Sequence, residues 1–158
     1  MIELRRLTSE EWPGLYPIVL AGEPFAETFV PTLSHFKAAM ADCEAFGLFD
    51  GGILFGVASF SNFVPLMDVC LHAVVDPAHR GRWISRSIFR DLFRYPFEEL
   101  KLPRVSSYAM PDMTPKAGDA LLRTGFKLEG RKRKAALFPD GYHDLLMFGM
   151  LREECRWI

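Results

Sequence analysis

One stretch of the chain gathers the residues best suited to chemistry. Arg80-Gly81-Arg82 stands between an apolar run, Val69 to Val75 broken by His72, and a helical pattern with Ile84, Ile88 and Leu92 on one face. A strand, a loop and a helix in that order aim the unpaired N–H groups of the first helical turn, and the positive end of the helix dipole, over the strand end. Anions bind at such junctions. Arg80 and Arg82 add charge, and Gly81 lets the backbone approach a ligand closely. The same residues also suit an ordinary strand-to-helix loop with solvated arginines. Just upstream, alternation along the strand puts Asp68, Cys70 and His72 on one face and Val69, Leu71 and Ala73 on the other. Two ionisable groups therefore share a face, and His72 has the unperturbed pKa nearer neutrality.

Other elements must hold these groups in place. Ile2 to Leu7 reads as a first strand, and Thr8-Ser-Glu-Glu11 has capping-box spacing for a helix to about Ala21, made irregular by Pro13 and Pro17. A second helix starts at Thr32, with Leu33, Phe36, Met40 and Cys43 at helical spacing. Asp50-Gly51-Gly52 between Phe46 to Phe49 and Ile53 to Phe60 predicts a hairpin, and Gly56 inside its second strand predicts close approach of a neighbour. Met67 to Val75 is the central strand. A long helix from about Arg82 to Leu100 carries Arg82, Arg86, Arg90 and Arg94 as one stripe. Arg104 to Met110 is the next strand, followed by a helix capped by Thr114 and ended by Gly125. Two last strands, Phe126 to Leu137 and His143 to Leu151, flank the turn at Pro139-Asp-Gly141. The basic run Arg131-Lys-Arg-Lys134 falls in the first of them and should alternate faces, so it makes no one-sided groove.

Composition narrows the class. At 158 residues and 49% hydrophobic content, the chain suits a single domain over 1–158 with a substantial core. A net charge of -1 gives no bulk attraction to nucleic acid, which leaves the arginine stripe as the local feature that could suit RNA. Cys43, Cys70 and Cys155 suggest neither a disulfide framework nor a metal site, and point to a reducing compartment. No stretch approaches a membrane span and no apolar leader stands at Met1, so a soluble cytoplasmic protein is expected.

Arg80 to Ser85 resembles the pyrophosphate loop of GNAT-type N-acetyltransferases, Gln/Arg-x-x-Gly-x-Gly/Ala, with Trp83 at the first glycine and Ser85 at the second small residue. Thr114-Pro-Lys-Ala117, Arg123-Thr-Gly-Phe126, Leu128-Glu-Gly130 and Tyr142-His-Asp144 are similar to the branch containing the ribosomal-protein alanine and serine acetyltransferases. There Asn-x-x-Ser precedes Gly-Phe, Glu-Gly and a final Asp-containing strand. Thr114 replaces the Asn and Ala117 the Ser. The resemblance is close over the C-terminal half and looser before it.

The resemblance implies an α/β (α+β) fold of the GNAT type: a mixed, mostly antiparallel sheet of six or seven strands, splayed between strands 4 and 5 and flanked by about four helices. It implies acetyl-CoA as co-substrate, with no metal. Val74 and Val75 would hold the pantetheine, and Arg80, Gly81, Arg82, Trp83, Ile84 and Ser85 the pyrophosphate, with Thr114 nearby. An N–H near Ala73 or Val74 would stabilise the oxyanion. Asp68 stands where several members carry a glutamate base, with His72 as its competitor. Leu121 occupies the usual position of the acid tyrosine, leaving Tyr108 or Thr114 to substitute. Glu23, Phe25, Glu27 and His35 would contact the amine acceptor, although Phe25 and Phe29 also suit simple packing of their loop onto the sheet. The activity implied is acetyl transfer to a primary amine, on a protein N-terminus or a small molecule, by direct attack. The competing reading is a catalytically silent domain that binds coenzyme A or a protein partner. Homodimerisation through exposed terminal strands is left open.

Overall fold

The computed structural model describes residues 1–158. β1 (Ile2–Arg6) passes through a 3-10 turn at Ser9–Glu11 into α1 (Trp12–Gly22), and a second 3-10 segment, Pro24–Thr28, leads to α2 (Leu33–Met40). Next come β2 (Glu44–Asp50), β3 (Ile53–Val64), β4 (Asp68–Val75), α3 (Arg86–Arg94), β5 (Arg104–Ala109), α4 (Pro115–Thr124), β6 (Lys127–Phe138) and β7 (Gly141–Leu151). The seven strands form one sheet in the order β1-β2-β3-β4-β5-β7-β6. Four α-helices flank it, as expected.

Local chemistry explains most boundaries. At the start of α1 the Thr8 N–H donates to Glu11 at 2.9 Å, and Arg5 holds the Glu11 carboxylate in a two-pronged pair at 2.7 and 3.2 Å. The Arg5 hydrogen bond, helped by the Thr8 N–H, pulls Glu11 down to about 2. Thr32 caps α2 by accepting from the His35 N–H at 3.2 Å. Gly51 and Gly52 turn the β2–β3 hairpin with φ of 56° and 81°, the left-handed pair that a two-residue hairpin loop requires.

Two layers cover the sheet. α1 and α2 bury Leu15, Val19, Phe36 and Met40 against Ala45, Val57 and Val74 on one face. On the other, Phe89, Leu92 and Phe93 of α3 join Phe60, Val69, Val105, Phe126 and Met150. Each such side chain taken fully out of water contributes about 1.5–3 kcal/mol.

The expected long helix is shorter at both ends. Gly81 (φ 78°) turns the chain and Ser85 is extended, so α3 begins at Arg86, where the Ser85 hydroxyl accepts from the Ile88 N–H at 3.4 Å. Ile84, expected on the buried face, is 38% exposed. At the far end Pro96 has no N–H to continue the ladder, and the chain widens into a π-helical turn over Tyr95–Glu99, where the Leu100 N–H donates to the Tyr95 carbonyl at 3.0 Å. The basic run also departs from expectation. A bulge in the β6–β7 register between Lys132 and Ala136 breaks the alternation.

Candidate active site

Every neighbouring pair in the sheet is antiparallel except β4–β5, which is parallel and joined at a single register pair, Cys70↔Ser106. Beyond that pair the strands diverge. Ser107 donates its hydroxyl to the Leu71 carbonyl at 2.8 Å, a side chain standing in where the backbone ladder stops. Leu71 therefore turns its peptide groups toward β5, whereas the Asp76 N–H bonds Phe55 of β3 at 2.8 Å. With alternation along the strand, Ala73 and Val75 present their N–H and C=O to the open fork and Val74 presents its own to β3. This corrects the expectation for Val74, whose side chain is buried beneath α1.

The closed end of the fork is tied by charge. Arg104 on β5 reaches Asp68 on β4 (Nε to Oδ2, 3.2 Å) and Glu129 on β6 (2.7 Å). It crosses β7 at Gly149, where a Cβ would sit 2.7 Å from the guanidinium and 2.3 Å from Glu129. Asp68 also accepts from the Ser106 hydroxyl and from the Val69 N–H. Asp68 thus lies on the closed side of the Cys70↔Ser106 pair with its oxygens occupied. It is a brace, and the base role expected of it does not fit this geometry.

His72 lies on the open side of that pair, on the face covered by α1. Gly22 ends α1 directly against β4, where a Cβ would stand 2.7 Å from the Val75 carbonyl oxygen. That approach delivers the next residue, Glu23, to His72, with Oε1 2.9 Å from Nε2. A carboxylate there fixes the proton on Nε2 and leaves Nδ1 with the free lone pair. Burial pulls the imidazole down and Glu23 pulls it up, the balance lying above the ordinary value, and the side chain remains 52% exposed. Tyr108 flanks the fork from β5 and is 40% exposed; burial, then the Cys70 and Asp68 charges, raise its phenol, so it stays a proton donor at neutral pH. The buried Cys70 thiol is pushed up to about 11 by desolvation and by Asp68, which leaves it protonated and a poor nucleophile.

At the top of β4 the basic turn is open. Nothing lies within 4 Å of a Cβ built on Gly81. Arg82, Ile84 and Ser85 are exposed, and Arg80 donates to the Gly22 carbonyl at 3.2 Å. The Trp83 indole points inward, stacked on Phe89 at 5.2 Å and 19°. Phe89 stacks in turn on Trp157 at 5.0 Å. The clearance of the turn is therefore preserved despite the absent glycine. The Thr114 hydroxyl does not cap α4 as expected. It accepts from the Met110 N–H at 2.9 Å and donates to the Met110 carbonyl at 3.1 Å, closing the turn after β5.

The segment from Glu23 to Phe29 straps the mouth. One end is held at His72. Phe25 and Phe29 meet Phe138 of β6 edge-on at 5.6 and 5.2 Å, the packing role that their spacing also allowed. Glu27 on the strap is exposed, and His35 is engaged as part of the α2 cap, Nδ1 2.6 Å from the Thr32 hydroxyl. Beside Phe138, His143 lies 2.8 Å from Asp140 and 3.5 Å from Asp112. Nothing in the sequence marked His143, Arg104 or Ser107. Glycines 22 and 149 were the visible trace of the close approaches that place Glu23 and Arg104.

A forked seven-stranded sheet of this order is shared with known proteins. The chain is 29% identical over 143 residues, 85% of its length and 73% of the relative's, to a Bacillus subtilis protein named "Putative ribosomal N-acetyltransferase YdaF". The chain is thus similar in sequence to a protein named as an N-acetyltransferase. No family model matches it. Among solved structures, a spermidine N-acetyltransferase SpeG chimera from Vibrio cholerae and hSSAT superposes with a TM-score of 0.78 at 18% identity, covering 96% of each chain. RimL, a ribosomal L7/L12 alpha-N-protein acetyltransferase in complex with coenzyme A, does so at 0.77 and 19%, over 95% of this chain and 93% of its own. At these identities the superpositions establish the fold. No helix of this protein is long and apolar enough to cross a membrane.

Proposed function

We propose that this protein is a GNAT-type acetyltransferase that transfers the acetyl group of acetyl-CoA to a primary amine, on a protein N-terminus or a small molecule, by direct attack, with His72 taking the proton. One observation carries the reading: His72, tethered to Glu23 at 2.9 Å, sits just past the single pair that joins β4 to β5, beside an open basic turn.

The residues present suit acetyl-CoA. Arg80, Arg82 and the open backbone at Gly81 and Ser85 would hold its pyrophosphate, and the unpaired peptide groups of Ala73 and Val75 its pantetheine arm. Bound there, it supplies an activated acyl group on a thiol leaving group. His72 Nδ1 accepts a proton from the acceptor ammonium, directly or through one water. The Ala73 N–H, one residue away and facing the fork, holds negative charge on the carbonyl oxygen. Tyr108, kept protonated, donates to the departing sulfur. Cys70, protonated and buried, forms no acyl-enzyme. The three free thiols suit a reducing, cytoplasmic setting.

Calorimetric titration with acetyl-CoA, followed by thiol release across a panel of amines and short peptides, tests the reading. Saturable binding and transfer to at least one acceptor class is expected. Tight binding with transfer to none would mark a catalytically silent domain instead.

A further inference from the structure

The bulge on β6 was not absorbed by this mechanism. Between Lys132 and Ala136 the strand leaves its register with β7 and forms a concavity of about 590 Å³ lined by Lys132, Arg133, Lys134 and Ala135. Lys134 sits at a φ of 50°, in the left-handed region, and its N–H donates to Asp144 at 2.8 Å, which fixes the bulge. Of the basic run only Arg131 is spent on an ion pair, with Asp144 at 2.7 Å. Lys132, Arg133 and Lys134 are left facing solvent together.

The bulge lies at the level of the mouth. Lys132 pairs with Leu145 and Ala136 with His143, the residue beside Phe138 where the strap lands. From β4 to β6 the sheet order crosses β5 and β7, three strand spacings or at least about 14 Å given the splay of β4 from β5, which takes an extended peptide about four residues or more. Along that path the charge is first negative, with Glu23 and Glu27 on the strap and Asp112 and Asp140 at its landing, and then positive at the bulge. The complementary ligand is positive first and negative some four residues later.

We propose that the β6 bulge selects the acceptor: a polypeptide whose N-terminal ammonium enters under the strap and whose acidic side chains, from about its fourth residue on, meet Lys132, Arg133 and Lys134. The inference rests on the acetyltransferase reading above and names its substrate class. RNA is the weaker fit, because no aromatic side chain lines the concavity to stack a base.

The test uses peptides that share their first three residues and carry Glu, Gln or Lys at positions four to seven. kcat/KM is measured with acetyl-CoA, and binding of dye-labelled peptides by anisotropy, for the native chain and for Lys132→Glu with Arg133→Glu. The Glu peptide should exceed the Gln peptide at least fivefold at low salt, with a preference that shrinks as salt rises and inverts toward the Lys peptide in the double variant. Ratios within one protein cancel any loss of folded material. Equal values for Glu and Gln peptides, an unchanged ratio in the variant, or RNA displacing the Glu peptide would overturn the proposal. Charge-selective binding without any acetyl transfer would remove the enzymatic reading and leave the surface standing. Transfer without charge preference would do the reverse.

Discussion

Glu23 Oε1 and His72 Nε2 lie 2.9 Å apart, joining the last turn of α1 to the open side of the forked sheet. His72→Ala should lower kcat about 10²- to 10⁴-fold, the usual range for a positioned base, and leave acetyl-CoA affinity nearly unchanged. Steady-state kinetics beside calorimetry reads both, and a comparable fall in affinity would place His72 in donor binding instead.

The same pair sets a pH dependence. Burial lowers the His72 pKa and Glu23 raises it further, leaving it above its ordinary 6.5. On the proposed mechanism the neutral imidazole is the active form, so kcat/KM should rise with pH through that elevated value. Removing the charge with Glu23→Gln should move the rising limb to lower pH. A limb that stays in place would separate Glu23 from the titration.

Asp68→Asn should leave turnover within about threefold of the native value, as expected of a residue away from the reacting groups. The stability cost belongs instead to Arg104→Met, which leaves Asp68 and Glu129 without their shared cation and should cost about 1–3 kcal/mol in chemical denaturation. A hundredfold loss of kcat in the Asp68 variant would restore it as base.

Gly81→Asp should abolish acetyl-CoA binding, since the new carboxylate would project into the open space proposed to take the phosphates. The φ of 78° also strains any side chain there. Gly81→Asn, neutral and tolerant of that region, separates the two effects: it should bind measurably while the Asp variant does not. Equal affinity for native, Asn and Asp forms in calorimetry would refute the phosphate assignment.

His143 predicts a second pH effect, on stability. The Asp140 hydrogen bond outweighs desolvation, with help from Asp112, and raises its pKa above 6.5. A raised folded-state pKa means that the protonated His143 stabilises the fold fully below the unfolded value, and that this contribution is lost as pH climbs through the folded value. The melting temperature should therefore decline over that interval in the native chain and less so in His143→Gln.

Much of this was legible in the residues. Asp50-Gly51-Gly52 fixed the hairpin, Gly125 ended α4 with a φ of 107°, and the Arg80 to Ser85 pattern located the turn above β4. The misplaced features depend on partners distant in sequence. Asp68 and His72 look alike as candidates until the Cys70↔Ser106 pair divides them, because a register between β4 and β5 leaves no local mark. Pro96 was visible, but the π turn it sits in, with Tyr95, Pro96 and Phe97 all buried, left no local mark that separates it from a simple helix end. The basic run was assigned strand alternation, which holds only while register holds, and the bulge cancels it.

Trp83 stands where a glycine is usual, and its indole is sandwiched into an aromatic column with Phe89 and Trp157. A glycine-rich turn loses backbone freedom when it closes on a ligand. Here much of that ordering is completed when the chain folds, so an anion bound as proposed would meet a cradle already set. The price is reduced adaptability: such a turn should discriminate sharply among donors whose phosphates differ in placement, and conform poorly to any that do not match.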